Sequence, residues 1–378
     1  MASPAKTLLD SEEMYVNMGP QHPSTHGVLR LMIRTDGEIV TEVVPVIGYL
    51  HRCAEKIGEN VTYVQFVPYT DRMDYLSSMS DNLGFALATE ALMDIEIPPR
   101  AQALRVIMAE LNRIASHLLA IGTFGIDIGA YTPFFWCFRE REAILNLFEM
   151  ASGARLTYNY IRVGGVMRDV GGEFMAKLDE FLESFPKRVA EYNELLTFNQ
   201  IFISRTANIG VIPKDLALGY ALSGPILRGS GVAHDVRKLE PYSGYQKYTF
   251  DIPVGTGRMG AVGDCWDRYW VRVQECLQSL KIVEQAAGGL TKGEVVSKQL
   301  KKVIKTKKGE KYLRIENPRG ELGFYVVSNG TDKPYRVKVR APSFCNLSVL
   351  PEITHNVMIA DLVAILGSID IVLGEVDR

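Results

Sequence analysis

Apolar positions along the chain recur first every two residues, then every three to four, then every two again, and close on a helical pattern. Leu29, Leu31 and Ile33 stand opposite Arg30, Met32 and Arg34, so Val28 to Arg34 reads as a half-buried strand. Asp36-Gly37 follows as a tight-turn pair, and Glu38 to Ile47 returns as the second strand of a hairpin. Pro98-Pro99 opens a helix whose stripe Leu104, Ile107, Met108, Leu111, Ile114 and Leu118 keeps the 3.6-residue period to about Ala120. Thr132-Pro133 starts another helix, carried by Phe135, Phe138 and Ile144 to Met150. The pattern resumes from Phe174 to Leu196, with Pro186 as a kink or restart, and again from Trp266 through Tyr269, Val273, Leu277 and Leu280 to Val283. From Lys311 the period is two, and Asn317-Pro318-Arg319-Gly320 and Asn329-Gly330 mark the turns of a small β-meander. A last helix is expected from about Pro351 to the end. There are no repeats, and the lysines between 298 and 311 read as a solvated loop or hairpin. The pattern predicts an α+β, predominantly helical fold: a central helix bundle with an N-terminal β-hairpin and a small C-terminal β-meander. The expected divisions are 1–53, 54–300 and 301–378.

Bulk chemistry narrows the class. A chain of 378 residues can bury a large core, and a net charge of -2 argues against nucleic acid as a main partner. Hydrophobic residues at 47% suit a subunit with buried interfaces. No apolar run reaches the roughly 18 residues that span a bilayer. The best candidate, Val357 to Leu373, is cut by Asp361, Gly367 and Asp370. Met1 to Lys6 lacks a charged stretch followed by a hydrophobic one, so no signal peptide and a cytoplasmic location are expected. Cys53, Cys137, Cys265, Cys276 and Cys345 are odd in number and contain no C-x-x-C, against a zinc ribbon, a cluster site or a disulfide framework.

Two of six histidines, His22 and His26, lie in Gly19-Pro20-Gln21-His22-Pro23-Ser24-Thr25-His26-Gly27, a segment that Pro20 and Pro23 bar from helix. Zinc sites with this spacing sit on a helix with a glutamate between the histidines; here Ser24-Thr25 offers no base, so metal ligation is set aside. A structural loop or hydrogen bonding to a polar ligand remains. Gly255-x-Gly257-x-x-Gly260 matches the dinucleotide fingerprint as a string, without its strand–helix context or an acidic residue about 20 positions on. No nucleotide loop and no nucleophile elbow is present.

Five strings in order, G-P-Q-H-P-S-T-H-G at 19–27, Y-L-H-R at 49–52, D-R-M-D-Y at 71–75, D-I-G-A-Y-T-P-F-F-W at 127–136 and G-E-V-D-R at 374–378, resemble the D subunit of NADH–quinone oxidoreductase, respiratory complex I. S-G-A-R at 152–155, G-S-G-V-A-H-D at 229–235 and D-C-W-D-R-Y at 264–269 fit as well, so the resemblance covers essentially the whole chain. It implies a fold like the nickel–iron hydrogenase large subunit. Those enzymes hold metal with two C-x-x-C pairs; the matching positions here are Asp74 and Ser77, then Val372 and Glu375, none of which is a thiolate. The resemblance then implies an emptied metal cavity that receives a quinone headgroup.

By resemblance, His26 and Tyr75 contact the headgroup, and Asp127 pairs with His26. Thr123 lines the same cavity, and Arg52 lies beside the terminal iron–sulfur cluster of a neighbouring subunit. A histidine titrates near neutrality and a tyrosine near ten, so the two can supply the protons of quinol formation. On the residues alone, His26 reads as a cap of the hairpin backbone, Tyr75 as a half-buried helix tyrosine, Asp127 as a turn residue before Gly129 and Arg52 as a surface ion pair. His22 is read as supporting the loop, and His117, on the polar side of its helix, as structural. Many family members carry a histidine two residues after the arginine of S-G-A-R; this chain has Thr157, which implies a cluster potential with weak pH dependence.

The resemblance implies a peripheral-arm subunit of a proton-translocating NADH:quinone oxidoreductase. It would form the quinone-reduction chamber on the cytoplasmic face of the bacterial inner membrane. Quinone is the substrate; this chain binds no metal or cluster itself, while NAD and the iron–sulfur clusters belong to partners. Those partners are the iron–sulfur subunit with the terminal cluster, the C subunit as a separate chain, a ferredoxin-like subunit and the quinone-channel membrane subunit. The alternatives are the same role in a ferredoxin- or F420-linked relative, or a non-catalytic scaffold.

Overall fold

The computed structural model describes residues 13–378, so the reading of Met1 to Lys6 lies outside the described residues. Three antiparallel strands, β1 (Glu13–Met18), β2 (Arg30–Asp36) and β3 (Ile39–Val46), form the N-terminal sheet. The expected hairpin is β2–β3, turning at Gly37 with φ 58°. β1 adds a strand that the pattern did not announce, because five of its six side chains are exposed and leave no buried face to read. Leu31 and Ile33 of β2 turn into the core.

Between β1 and β2 runs the two-histidine loop. It is not free of helix: Pro23–Thr25 makes one 3₁₀ turn, with Pro23 at its first position, where a missing N–H costs nothing. His22 supports it, its Nδ1 accepting from the Ser24 amide at 3.2 Å, while the Thr25 hydroxyl donates to the His22 carbonyl at 2.8 Å. Gly19 is required at the base, since a Cβ there would meet the Leu29 carbonyl oxygen at 2.0 Å. His26 closes the turn in the left-handed conformation, φ 52°.

Two short helices, α1 (Ala54–Gly58) and α2 (Tyr63–Thr70), lead to α3 (Ser78–Met93), α4 (Pro99–Asp127) and α5 (Thr132–Ser152). The short ladder β4 (Ile161–Arg162) with β5 (Gly165–Val166) precedes α6 (Gly172–Tyr192), which runs unbroken through Pro186 and ends in a π-turn over Asn193–Thr197. Four short helices follow: α7 (Gln200–Thr206), α8 (Lys214–Gly219), α9 (Gly224–Gly229) and α10 (Val236–Leu239). The long α11 (Cys265–Gly288) is capped by Asp264, whose side chain accepts from the Asp267 amide.

At the centre α4 packs against α5, α11 and, near its end, α14 (Ile359–Ile369). It runs past the expected stop at Ala120 because Ile121 and Phe124 continue its buried stripe. Each fully buried Leu, Ile or Phe on it contributes roughly 1.5–3 kcal/mol. The helix also buries charge. Arg105 donates to both oxygens of Glu90 at 2.9 and 2.5 Å, and Glu110 accepts from Arg237 at 2.9 Å. His117 is fully buried with Nε2 2.9 Å from Glu275, so its side of α4 faces the interior and not water.

The C-terminal meander is β6 (Gly309–Asn317), β7 (Gly320–Ser328) and β8 (Arg336–Arg340), packed on α3. The expected single closing helix is instead α12 (Pro342–Leu347), α13 (Leu350–Ile353), α14 and α15 (Leu373–Asp377). Left-handed Asn356 (φ 60°) and Asp370 (φ 57°) interrupt it, and β9 (Val357–Met358) pairs back on β3. No helix among the described residues is long and apolar enough to cross a membrane.

Candidate functional site

The C-terminal residues of α4 and the 3₁₀ turn meet at one contact. His26 Nε2 stands 2.6 Å from Asp127 Oδ2, with side-chain exposures of 13% and 7%. Burial alone would lower the histidine pKa. The hydrogen bond and charge of Asp127, with Asp370 further off, outweigh burial and the Arg319 charge, so the pKa is raised. A carboxylate on Nε2 fixes the proton there and leaves Nδ1 to face another partner. Asp127 reaches this position only because residue 367 lacks a side chain: a Cβ on Gly367 would lie 2.6 Å from Asp127 Oδ2.

Tyr75 lies on the turn before α3, not on the helix itself, and is half-buried. Burial raises its pKa, with smaller opposing effects from Arg319 and Arg52. Residues 373–374 border both it and the histidine loop. Leu373 Cδ1 lies 3.3 Å from the Cβ position of Gly27, and the Tyr75 ring lies 3.3 Å from that of Gly374. The histidine loop and Tyr75 therefore both border residues 373–374, while Asp127 borders Gly367 in α14. Thr123 is one turn before Asp127, but its hydroxyl donates to the Leu119 carbonyl at 2.9 Å. Arg52 is exposed and donates to the Arg72 carbonyl; burial and the Arg72 charge lower its pKa.

Behind these residues lies a buried ionic cluster that the sequence did not reveal. Arg319, in the β6–β7 turn, donates from Nη1 to both oxygens of Asp74 at 3.1 and 2.9 Å and to the Ser116 hydroxyl at 3.0 Å. Its Nη2 reaches Asp370 Oδ1 at 3.3 Å. Glu375 accepts from the Ser343 amide at 3.0 Å, and burial followed by the Asp74 charge pushes its carboxyl up to about 8. Asp74 and Glu375, two of the four positions matched to metal ligands, thus feel one another, but a guanidinium lies among them. The expectation of an emptied cavity at those positions is corrected accordingly. The described residues contain no group of three or more His, Cys, Asp or Glu that could hold a metal ion. The G-x-G-x-x-G string is a loop braced on α11: a Cβ on Gly255 would strike the Gly229 carbonyl at 1.9 Å, and Gly257 N donates to Asp267 at 2.9 Å.

A family model described as respiratory-chain NADH dehydrogenase, 49 Kd subunit, matches residues 127–308 and 297–378. The chain belongs to this family. It is 54% identical over 373 residues to the D subunit of the NADH-quinone oxidoreductase of Chlorobium luteolum, covering 98% of this chain and 94% of the relative. A D subunit of the same enzyme in Cytophaga hutchinsonii is 54% identical over 375 residues, covering 97% and 96%. One in Solibacter usitatus is 51% identical over 375 residues, covering 99% and 100%. Membership of the 49 kDa family puts the His26–Asp127 contact inside a subunit of a quinone-linked respiratory enzyme family, although neither residue carries a local motif for that chemistry.

Proposed function

We propose that this chain is the subunit of a proton-translocating NADH:quinone oxidoreductase that forms the quinone-reduction chamber. It is a complex I subunit, peripheral to the membrane arm, and its assembly partners are other subunits of that complex. In the finer reading, the partner carrying the terminal iron–sulfur cluster covers the Arg52 side of the chamber on the cytoplasmic face of the inner membrane. Arg52 there stabilises the reduced, more negative cluster. The C subunit, a ferredoxin-like subunit and the quinone-channel membrane subunit complete the surroundings. The hydrogenase-like descent is supported by the proximity of Asp74 and Glu375.

The quinone headgroup lies between His26 and Tyr75. The partner's cluster would supply the two electrons of the reduction; this chain's part is to give each quinone oxygen one proton, from the imidazolium at one end and the phenol at the other, so that the product is the quinol. Asp127 is the positioning residue that orients His26 and favours its charged form. The observation that carries this reading is the 2.6 Å His26–Asp127 contact, buried in a fold of this family. Tyr75→Phe keeps the ring and removes the proton. In the assembled complex it lowers kcat for quinone reduction by about 100-fold or more. Unchanged activity would leave the chain a scaffold without a headgroup contact.

A further inference from the structure

Arg319 is fully buried and holds three separate parts of the chain at once. Its own backbone is seated first. The Arg319 amide donates to Asn317 Oδ1 at 2.9 Å, and its carbonyl accepts from Asn346 Nδ2 at 3.0 Å. A Cβ on Gly224 would lie 2.5 Å from that carbonyl oxygen, so the start of α9 closes over the turn. From this fixed base Nη1 reaches Asp74, the neighbour of Tyr75, and Ser116 of α4, while Nη2 reaches Asp370 at the end of α14. A planar guanidinium serves acceptors in these different directions, whereas an ammonium is a single point charge.

Asp74 passes that hold on to Tyr75. Its carboxylate accepts from the Leu76 amide at 3.2 Å as well as from Arg319, and its own amide donates to Asp81 Oδ2 at 2.7 Å. The Leu76 carbonyl in turn accepts from Asn112 Nδ2 of α4 at 3.0 Å. The backbone is therefore pinned on both sides of Tyr75. Across the guanidinium, Ser116 shares its helix with Asp127, and Asp370 ends the helix whose Gly367 receives the Asp127 carboxylate. Arg272 donates to the Ser368 and Ile369 carbonyls at 2.7 and 3.0 Å and stands 3.8 Å from Asp370, so the end of α14 keeps a second cation when Arg319 is altered.

We propose that Arg319 is a positioning residue for quinone reduction: it fixes the Tyr75 turn against α4 and α14, the helices that carry and receive Asp127, the partner of His26. The assignment rests on the reading of Tyr75 as a proton donor to the headgroup. Arg319 acts through the Asp74 carboxylate and through the backbone that this carboxylate holds. A donor must stand within hydrogen-bond reach of the oxygen it protonates, so releasing the turn by about 1 Å costs rate and little binding.

The test uses the assembled complex, with kcat referred to its subunit content. Arg319→Lys keeps the positive charge that His26 feels and loses the fork. It is expected to lower kcat by about tenfold or more, with KM changed by less than about threefold and the falling limb of the pH profile left in place. In a Tyr75→Phe complex, already short of its proton donor, the same change is expected to lower kcat by less than about twofold further. Wild-type kcat in the Arg319→Lys complex, or full multiplication of the two losses in the double variant, would overturn the assignment. Wild-type activity in Tyr75→Phe alone would reject the proton-donor reading, and the assignment with it. If Arg319→Lys does not assemble, Ser116→Ala removes one acceptor of Nη1 and no charge. Its expected loss in kcat is about two- to fivefold, absent from the Tyr75→Phe background; an unaltered kcat in Ser116→Ala, or the same loss in both backgrounds, would also overturn the assignment.

Discussion

Replacing Asp127 by Asn is the sharpest perturbation of the site, because it removes one charge and almost no volume. His26 is balanced between burial, which disfavours its cation, and Asp127, which favours it. A hydrogen bond between charged partners contributes roughly 1.5–3 kcal/mol. Losing it therefore lowers the histidine pKa by about 1–2 units at roughly 1.4 kcal/mol per unit. The sign is unambiguous, since burial is the largest single influence and the remaining aid from Asp370 is opposed by Arg319. The raised pKa therefore falls once the Asp127 charge is gone and burial is left to dominate. The imidazolium population near neutral pH then drops, and kcat for quinone reduction drops with it. The assay is the pH profile of kcat in assembled complex, with KM recorded alongside. The expected result is a falling limb displaced toward acid by about 1–2 units, with KM changed less than kcat. An unshifted profile in a complex of normal subunit content would refute the proton-donor reading of His26.

Three further outcomes follow from the geometry. Gly367→Ala puts a methyl group 2.6 Å from Asp127 Oδ2 and 2.9 Å from Phe124, so it should reproduce the acid shift of Asp127→Asn without touching either ionisable group; a wild-type pH profile would show that the carboxylate does not need this approach. Glu375 has its folded pKa raised to about 8, so the native chain holds a proton that the unfolded chain has released above about 4.5. Stability should fall as pH rises between those values, by at most roughly 1.4 kcal/mol per unit, and thermal melts of Glu375→Gln complex should be flatter over that range. Thr157 carries no titrating group, so the partner's terminal cluster should show a midpoint potential nearly independent of pH between about 6 and 8; a slope near one proton per electron in a redox titration would contradict this.

Elements whose two faces differ in polarity were legible in the sequence. The alternation of β2 contrasts a buried side with a wetter one, and the stripe of α4 from Leu104 to Leu118 stood out because the opposite face carries Arg105, Asn112 and Arg113, although that face is buried too. α3 was invisible for the opposite reason: Ser80, Asp81, Asn82 and Thr89 are buried along with its apolar residues, so no period separates the faces. The closing segment read as one helix because its apolar run is continuous, while the breaks depend on left-handed Asn356 and Asp370, which tertiary contacts impose. His26 and Asp127 are 101 positions apart, and no local spacing links them; only the family resemblance paired them. Arg319 had no signal, since a turn written Asn-Pro-Arg-Gly looks solvent-facing until the sheet carries it inward.

The contacts of Gly27 with Leu373, of Tyr75 with Gly374, and of Gly48 and Leu50 with Asp377 tie the first quarter of the chain to its final turn. A ribosome releases those two regions hundreds of residues apart, so the chamber walls cannot set while translation is under way. The long central helices have time to settle first, and the His26 loop and the Tyr75 turn wait for residues beyond 370 to emerge. Whichever neighbour docks against that surface meets its finished shape only once residues beyond 370 have been made, which makes late closure of this wall a property of the topology.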